Sequence, residues 1–407
     1  MQNLRHFEKT LDSMGGFRTF AAQCTDDCYA DQAALRCTCA NVRFRETTPP
    51  FATSRRPAYA GPMLIDRIAS DAILDQAYAW LCHRRKGYHA NTDVWHFRRN
   101  WQAEKARLKA ELTAGTYRFD VLDRVTLKDG SSIALWSSRD AIVLKALTLC
   151  LEAVLPVRPS CTHIRGHGGA KEAIRQVHAN LPLHTHVFRT DVKSYYASID
   201  HFLLLDRLAE HVADRAVINL LSQYMRRTIC DGGNFIDIER GISLGCPLSP
   251  LMAAFFLHEL DMQFEKADVF YVRFMDDILI LAPTRWKLRR AVQTVQSTLE
   301  GLRLLTHPDK TFVGRISKGF DFLGYHFLDG SLSPATKTLC KMYETAVRLY
   351  EQKGHRTKPT PLGQYLTRWN AWFQGGLQGI PLSGTFLPAL EGDDTRQSRQ
   401  QKQTAGW

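Results

Sequence analysis

Two adjacent carboxylates, Asp276 and Asp277, interrupt an apolar stretch in the segment FYVRFMDDILIL (270–281). The pattern predicts a hairpin of two short strands that turns at this pair. Carboxylates that abut buried strands repel each other and lose hydration, and divalent cations remove that cost. A third carboxylate, Asp191, ends another apolar strand, predicted over 186–190. Three such carboxylates can hold two metal ions that activate a hydroxyl and neutralise a phosphate in an in-line displacement.

The composition favours a polyanionic partner. The 407 residues include 53 Lys and Arg against 41 Asp and Glu, a formal net charge of +12. Such an excess indicates nucleic acid first and an anionic membrane surface second. The sequence has no apolar run long enough to span a membrane, and MQNLRHFEKT lacks the apolar stretch of a secretory signal. We therefore expect a cytoplasmic protein without a membrane partner, which also fits its scattered cysteines.

The first 60 residues differ from the rest of the chain. Four cysteines fall within sixteen residues there, and a linker-like stretch, TTPPFATSRRP, follows them. A small zinc module is one interpretation, but the CxxxC-x8-CxC spacing matches no common zinc finger. A poorly ordered extension is the preferred interpretation. The four cysteines are Cys24, Cys28, Cys37 and Cys39.

Several segments, in order, resemble the motifs of the reverse transcriptase family across roughly residues 120–330. They read FRTDVKSYYASID, GISLGCPLSPLMAAFFLHELD, YVRFMDDILIL and HPDKTFVGRISKGFDFLGY, the last of which spans two motifs. Upstream, SSRDAIVLKAL and CTHIRGHGGAKEAI resemble the fingers motifs of bacterial and group II intron enzymes. No segment after these motifs resembles a maturase DNA-binding module, an HNH nuclease or an RNase H. The resemblance is therefore to a stand-alone prokaryotic enzyme of the group II intron-like type.

The resemblance implies an α+β right-hand polymerase with a ferredoxin-like palm, helical fingers and a short helical thumb. The expected divisions are an N-terminal extension (1–60), N-terminal helices and fingers (61–185), a palm with the catalytic motifs (186–330) and a short helical thumb with a polar tail (331–407).

The resemblance also implies roles for the metal site. Asp191 and Asp276 would ligate both metal ions, Asp277 would assist, and the Val192 carbonyl would complete one coordination shell. The ions would be two Mg²⁺, for which Mn²⁺ can substitute. Lys310 would protonate or steady the pyrophosphate leaving group; an ordinary exposed lysine is the alternative.

Further roles concern the nucleotide, the template and the primer. Tyr196 occupies the steric-gate position, where an aromatic ring excludes a ribose 2′-hydroxyl. Arg139 matches a fingers arginine that contacts the incoming triphosphate, and Lys128 at a predicted hairpin tip would help. Gly245 lies in the loop that binds template and nucleotide. The primer-grip signature comprises Phe322, Leu323, Gly324 and Tyr325.

Two segments depart from the family pattern. Ser243-Leu244-Gly245 replaces the usual Pro-Gln-Gly, so an amide that contacts the template base or the nucleotide is missing and fidelity would fall. In CTHIRGHGGAK, Cys161, His163 and His167 are weak candidates for metal ligands. The neighbouring glycines instead favour a loop whose amides lie against phosphate or template.

The function expected is RNA-templated DNA synthesis, by attack of a primer 3′-hydroxyl on a deoxynucleoside triphosphate. The expected partners are an RNA template, a DNA or RNA primer and dNTPs, with a dedicated structured RNA also compatible, in a retroelement or in antiphage defence. Three alternatives stay open at this stage. They are an RNA-dependent RNA polymerase, a defence enzyme that works without conventional template or primer, and a non-catalytic RNA-binding protein.

Overall fold

The structure is a computed structural model that describes residues 63–126, 132–351 and 361–383. The four N-terminal cysteines and Lys128 lie outside these ranges. No helix within the described ranges is long and apolar enough to cross a membrane.

The N-terminal part of the described chain is a helical unit with one hairpin. The Ser137 hydroxyl caps the fourth helix by accepting from the Asp140 amide at 3.1 Å, and most of that helix is buried. The predicted hairpin within 117–136 is confirmed, because its two strands pair antiparallel. The elements are α1 (Leu64–Ile68), α2 (Asp71–Arg84), α3 (Val94–Thr113), β1 (Leu122–Thr126), β2 (Ser132–Leu135) and α4 (Ser138–Leu151).

The next part of the chain carries the first strand that leads to the predicted site. Asp200 precedes the run HFLLLDRL, and an aspartate in this position predicts a helix N-cap. The prediction is confirmed, because Asp200 accepts from the amides of Phe202 and Leu203. The elements are α5 (Gly169–Asn180), β3 (His186–Thr190), the short α6 (Tyr195–Ser198), α7 (His201–His211), α8 (Arg215–Met225), β4 (Thr228–Asp231) and β5 (Asn234–Asp237).

The apolar segment PLMAAFFLHELDMQFE (250–265) predicts a single helix with Pro250 in its first turn. This prediction is wrong, because the chain leaves helical dihedral angles at the buried Leu257. The first piece is buried almost all round, whereas the second has one buried face, and the two therefore pack as separate helices. The predicted hairpin over 270–281 and the predicted helix from Arg285 are confirmed. The elements are α9 (Ser249–Phe256), α10 (His258–Glu265), β6 (Phe270–Phe274), β7 (Asp277–Ala282), α11 (Arg285–Gly301) and β8 (Phe312–Arg315).

The last described part adds a small antiparallel sheet and two helices. Strand β10 lies in the middle of this sheet, between β9 and β11. The elements are β9 (Phe320–Phe322), β10 (Tyr325–Leu328), β11 (Ser331–Pro334), α12 (Thr336–Glu351) and α13 (Pro361–Gln374).

Four strands form what we call the palm sheet, in the antiparallel order β6-β7-β3-β8. In chain order, β3 is followed by helices, then by the hairpin β6–β7, then by α11 and β8. This is the ferredoxin-like arrangement, so the predicted α+β class and ferredoxin-like palm are confirmed. A second four-stranded sheet has the order β2-β1-β4-β5. The predicted domain boundaries stay predictions.

The palm sheet is buried on both faces. Phe188, Ile278 and Ile280 belong to the large core shared with the helices. Leu279 and Leu281, which alternate with them along β7, pack in a second core with β9, β10 and α13. A strand covered on both sides reads as a continuous apolar run, which is why β7 shows no polar alternation. The polar end of this strand is therefore fixed by its packed interior.

Candidate active site

The three predicted carboxylates meet at one end of the palm sheet. Strand β3 pairs with both β7 and β8, and its last ladder pair with β7 joins Thr190 to Ile278. Asp191 and Asp277 are the next residues outward on the two strands, and Asp276 occupies the turn before β7. Asp191 is buried, at 8% exposure. Long-range strand pairing therefore brings together residues that lie about 85 positions apart in the sequence.

Electrostatics within this group favour a bound cation. Burial and repulsion by Asp191 and Asp277 raise the pKa of Asp276 to about 7, and a hydrogen bond with the Asp191 side chain adds to the rise. Burial and repulsion by Asp191 raise the pKa of Asp277 to about 6, although Arg189 and Lys310 oppose it. Carboxylates whose ionisation is this costly gain most from a neighbouring positive charge.

Lys310 supplies one such charge. It ends a short 3₁₀ turn, Pro308–Lys310, just before β8. Its Nζ donates to Asp191 Oδ2 at 2.9 Å. That hydrogen bond, together with the charges of the three aspartates, raises the pKa of Lys310. The lysine predicted to serve the leaving group therefore lies at the carboxylates and is protonated at neutral pH.

The donor chemistry of this group fits divalent cations. Hard ions such as Mg²⁺ and Mn²⁺ take carboxylate and carbonyl oxygens, and three Asp side chains converge here. Val192, whose carbonyl is the predicted fourth donor, is buried and bridges to Thr306. In the described part of the chain, no three His, Cys, Asp or Glu side chains are gathered closely enough to hold an ion as they stand. Lys310 occupies one of the Asp191 oxygens in this arrangement.

A buried ion pair beneath the turn was missed at the level of sequence. Arg273 and Asp261 are both fully buried and joined twice, Nε to Oδ1 at 2.6 Å and Nη2 to Oδ2 at 2.7 Å. The same guanidinium donates to the Ala254 and Met275 carbonyls, at 2.7 and 3.0 Å. The signal was an arginine inside the apolar strand FYVRF, because such a residue needs a buried acidic partner.

The two neighbouring tyrosines of the first motif differ in burial. Tyr195 is buried and donates to the Ala253 carbonyl at 2.6 Å, so it serves the core. Tyr196 is half-buried. Its own burial, followed by the negative charge of Asp276, raises the Tyr196 pKa. The phenol ring predicted to be the steric gate therefore lies beside the carboxylates.

The loop at 243–247 is anchored at one end and exposed at its tip. Ser243 is buried and accepts from the Trp136 indole at 2.9 Å. Leu244, which stands where the family pattern has glutamine, is 62% exposed. Gly245 follows with φ +74, and a Cβ there would meet nothing within 4 Å. Its positive φ, rather than crowding, accounts for the glycine.

The fingers residue Arg139 is held inside its own unit. Its guanidinium is paired with Glu111 and lies over the Tyr117 ring, 4.8 Å from the centroid. Its Nε is buried without a hydrogen-bond partner. The predicted contact with a triphosphate thus stays a prediction, as does that of Lys128, which lies outside the described residues.

The predicted primer grip forms the turn between β9 and β10. Leu323 and Gly324 form its corner, with φ of +48 and +84. Phe322 and Tyr325 on either side are buried, and Tyr325 Oη donates to the Phe373 carbonyl of α13 at 2.8 Å. Lys171 of α5 also bonds Tyr325 Oη. The hydrogen bond from Tyr325 therefore holds the turn against α13, the last described helix.

In the segment CTHIRGHGG, Cys161 Sγ lies 3.4 Å from His163 Nδ1. His167 Nδ1 contacts the Cys161 carbonyl instead of the thiol, at 2.9 Å, and Gly168, with φ +84, is the N-cap of α5. His163 also contacts two other segments, at Pro250 and Met275. Within the described residues no metal-holding group includes these side chains, so the weak metal assignment is not supported.

Comparisons with known proteins agree with this geometry. The family described as "Reverse transcriptase (RNA-dependent DNA polymerase)" matches residues 133–327. Protein YkfC of Escherichia coli (strain K12) is 24% identical over 270 residues, covering 54% of this chain and 70% of YkfC. An uncharacterized 91 kDa protein in the cob intron of Schizosaccharomyces pombe is 26% identical over 131 residues, covering 32% of this chain and 16% of that protein.

Among solved structures, a chain of a partial Cas6-RT-Cas1–Cas2 complex is similar over 59% of this chain and 42% of its own length, at 22% identity and a TM-score of 0.36. The present chain thus spans less than half of that chain. The family match covers all three carboxylates, Lys310, Tyr196 and the primer-grip turn. Residues 133–327 are therefore a reverse transcriptase domain.

Proposed function

We propose that this protein copies RNA into DNA by two-metal nucleotidyl transfer. The primer 3′-hydroxyl attacks the α-phosphate of a dNTP, a new phosphodiester bond forms, and pyrophosphate leaves. The observation that carries the proposal is the convergence of Asp191, Asp276 and Asp277 at one end of the palm sheet, within the matched domain. The pKa values of Asp276 and Asp277 are raised, so ionisation of these carboxyls is costly, and bound divalent ions would remove that cost.

In this proposal Asp191 and Asp276 would hold both metal ions, Asp277 would assist, and the Val192 carbonyl would complete one coordination shell. Mg²⁺ is the proposed ion, and Mn²⁺ can replace it. Such ions, when bound, favour the deprotonated primer hydroxyl and neutralise the triphosphate. The packed interior of β7 fixes the strand that carries Asp277, so binding of the ions would require movement of side chains, including Lys310, rather than movement of the strand.

Lys310 serves the leaving group. Its ammonium is protonated at neutral pH because the aspartates raise its pKa. A protonated lysine beside the carboxylates can donate a proton to the pyrophosphate oxygen or neutralise its charge. In the substrate-free arrangement the same ammonium occupies Asp191 Oδ2. It must release this oxygen when the metal ions and the nucleotide bind.

Tyr196 selects deoxynucleotides. Its ring is half-buried beside Asp276, so it is held against the position of the incoming sugar. A rigid aromatic ring there leaves no room for a 2′-hydroxyl. Gly245 and the exposed Leu244 form the tip of the loop proposed to lie against the template base or the nucleotide. The leucine side chain cannot donate or accept a hydrogen bond, so the contact that a glutamine amide would make to the base or the nucleotide is lost.

The nucleic-acid partners are an RNA template and a DNA or RNA primer. The net charge of +12 favours such polyanions. The turn of Phe322, Leu323, Gly324 and Tyr325, supported by α13, is the proposed primer grip. Arg139 and Lys128 are proposed to reach the triphosphate from the fingers. For Arg139 this requires exchange of Glu111 for a phosphate.

Primer extension on poly(rA)/oligo(dT) with Mg²⁺ or Mn²⁺ tests this function. We expect extension with dTTP and not with UTP, and its loss in Asp276→Asn. Asp329→Asn is the matched control, because it removes the same charge from an exposed turn where asparagine tolerates the positive φ. Extension with UTP at the rate of dTTP would indicate an RNA polymerase. Absence of extension by the wild type under both metals would overturn ordinary primed synthesis.

A further inference from the structure

Met275, the residue before Asp276, has an unusual backbone conformation. Its φ of +56 lies in the left-handed region, which side chains other than glycine, asparagine and aspartate rarely adopt. Such a conformation persists where the surroundings determine it, and it is frequent at active sites. The contacts that hold Met275 therefore also set the direction in which the chain enters Asp276.

The buried Arg273 and the half-buried His163 hold both backbone polar groups of Met275. Its carbonyl accepts from Arg273 Nη1 at 3.0 Å, and Asp261 fixes that guanidinium as described above. Its amide donates to His163 Nδ1 at 3.0 Å, and Cys161 Sγ lies 3.4 Å from the same nitrogen. Because Nδ1 accepts, the imidazole proton resides on Nε2, which lies 3.1 Å from the Pro250 carbonyl and donates to it.

His163 thus joins three segments that are distant in the sequence. It lies in the glycine-containing segment CTHIRGHGG, it contacts the first turn of α9 at Pro250, and it contacts the turn of the carboxylates at Met275. The exposed loop tip at Leu244 and Gly245 immediately precedes α9. Burial lowers the pKa of His163 to about 4, so the ring is neutral and keeps this tautomer at neutral pH.

We propose that His163 is a positioning residue for the metal centre. Through the Met275 amide it fixes the Asp276 carboxylate for metal binding, and through the Pro250 carbonyl it ties that carboxylate to the loop at 243–247. This rests on the proposed function, because it assumes that Asp276 is a metal ligand. It also accounts for a histidine in a segment where a metal site is not supported.

Two substitutions separate the hydrogen bond of His163 to the Met275 amide from its hydrogen bond to the Pro250 carbonyl. The side-chain oxygen of asparagine stands at the same distance from the backbone as Nδ1, so His163→Asn keeps an acceptor for the Met275 amide and loses the donor to Pro250. The side-chain nitrogen of glutamine stands where Nε2 does, so His163→Gln keeps the donor to Pro250 and loses the acceptor. His163→Phe fills the ring volume and loses both bonds.

The measurement is Mn²⁺ binding to the full chain, followed by the loss of the free-ion paramagnetic resonance signal. We expect His163→Gln and His163→Phe to weaken binding by about tenfold, as loss of a group that supports a metal ligand commonly does. His163→Asn should bind within about twofold of the wild type, on the same reasoning. The Mg²⁺ concentration for half-maximal primer extension should rise in parallel with these losses.

Val272→Ala controls for general destabilisation of the hairpin. It removes buried methyl groups from β6 and leaves both contacts to Met275 in place, so its melting temperature should fall while Mn²⁺ binding stays at the wild-type value. Equal Mn²⁺ binding by the Asn and Gln variants would overturn the role of His163, as would an equal loss in both. If the wild type binds no Mn²⁺, or if Asp276→Asn binds it equally well, the metal centre and the proposed function fail instead.

Discussion

The palm and the fingers hold their predicted site residues in different ways. In the palm, Asp191, Asp276 and Asp277 follow from strand pairing, because β3 is bonded on both sides and β7 is buried along its length. In the fingers, Arg139 is held by side chains of its own unit, Glu111 and Tyr117. The palm group is therefore determined by strand pairing, whereas Arg139 is held by an ion pair between side chains.

A sequence motif therefore predicts the position of a site residue best where strand pairing fixes that residue. The backbone of a carboxylate residue at the end of a packed strand can shift little, because a shift would disturb the hydrogen bonds between the paired strands. An arginine side chain on a helix can adopt several rotamers. In the absence of substrate, Arg139 forms its ion pair with the neighbouring Glu111. The buried Nε of Arg139 without a partner shows that the present pairing leaves one donor unsatisfied.

The largest expected effect on stability lies under the palm turn. We expect Arg273→Met to lower the free energy of unfolding by about 3–5 kcal/mol, because Asp261 then keeps a buried charge without its partner. Urea unfolding measures this. The double variant Arg273→Met/Asp261→Leu should recover most of the loss, since it removes both charges. A single-variant loss below about 1 kcal/mol would show that the pair does not hold the turn.

Lys310 should come next, through catalysis rather than stability. We expect Lys310→Ala to reduce kcat by about 10²-fold, the lower range for loss of a positioned general acid. Lys310→Arg should retain more activity, because it keeps the charge at Asp191. Single-turnover extension gives the rates. Equal rates for the alanine variant and the wild type would place Lys310 outside the reaction.

Tyr196 should affect nucleotide choice more than rate. We expect Tyr196→Ala to reduce discrimination between dTTP and UTP by about tenfold or more, a loss on the order of 1–3 kcal/mol for removal of a pocket wall. The ratio of kcat/KM for the two nucleotides measures it. Tyr195→Phe is the control: it removes the core hydroxyl bonded to Ala253 and should leave the ratio unchanged. An unchanged ratio in Tyr196→Ala would exclude the gate.

Arg139 gives the smallest expected effect and the sharpest test of the comparison. If the pairing with Glu111 persists in the complex, Arg139→Gln should cost about 1 kcal/mol or less in stability, as partly exposed ion pairs do. The KM for dTTP should then change little. A rise in KM of about tenfold, equal to about 1.4 kcal/mol, would instead show that the guanidinium leaves Glu111 for the triphosphate.

The sequence predicted the parts of the molecule that depend on local pattern. The apolar runs on either side of the aspartates predicted β6 and β7, and Asp200 predicted the start of α7. The resemblance implied a ferredoxin-like palm, but the pairing of β3 with β7 within it is contained in no local pattern. The break at Leu257 was not predicted, because no glycine or proline interrupts residues 251–265 and the pattern gives no other signal for a break there.

The side chains that hold the turn at Met275 were also not predicted from the sequence. Arg273 and Asp261 are twelve positions apart and lie on a strand and a helix, so no periodicity links them. His163 was seen only as a weak metal candidate, since its partners Pro250 and Met275 are about 90 and 110 positions away. Buried polar contacts over such separations are decided by the assembled core rather than by neighbouring residues.

The central claim is that the carboxylates act through divalent ions bound to the nucleotide. Single-turnover extension should therefore be compared for dTTP and the two diastereomers of its α-phosphorothioate, each with Mg²⁺ and with Mn²⁺. Sulfur is a soft ligand that Mg²⁺ binds poorly and Mn²⁺ accepts better. We predict that one diastereomer is extended at least about tenfold more slowly than dTTP with Mg²⁺, and that Mn²⁺ restores most of the rate. The same slowing with both metals, for both diastereomers, would contradict a metal ion at the reacting phosphate.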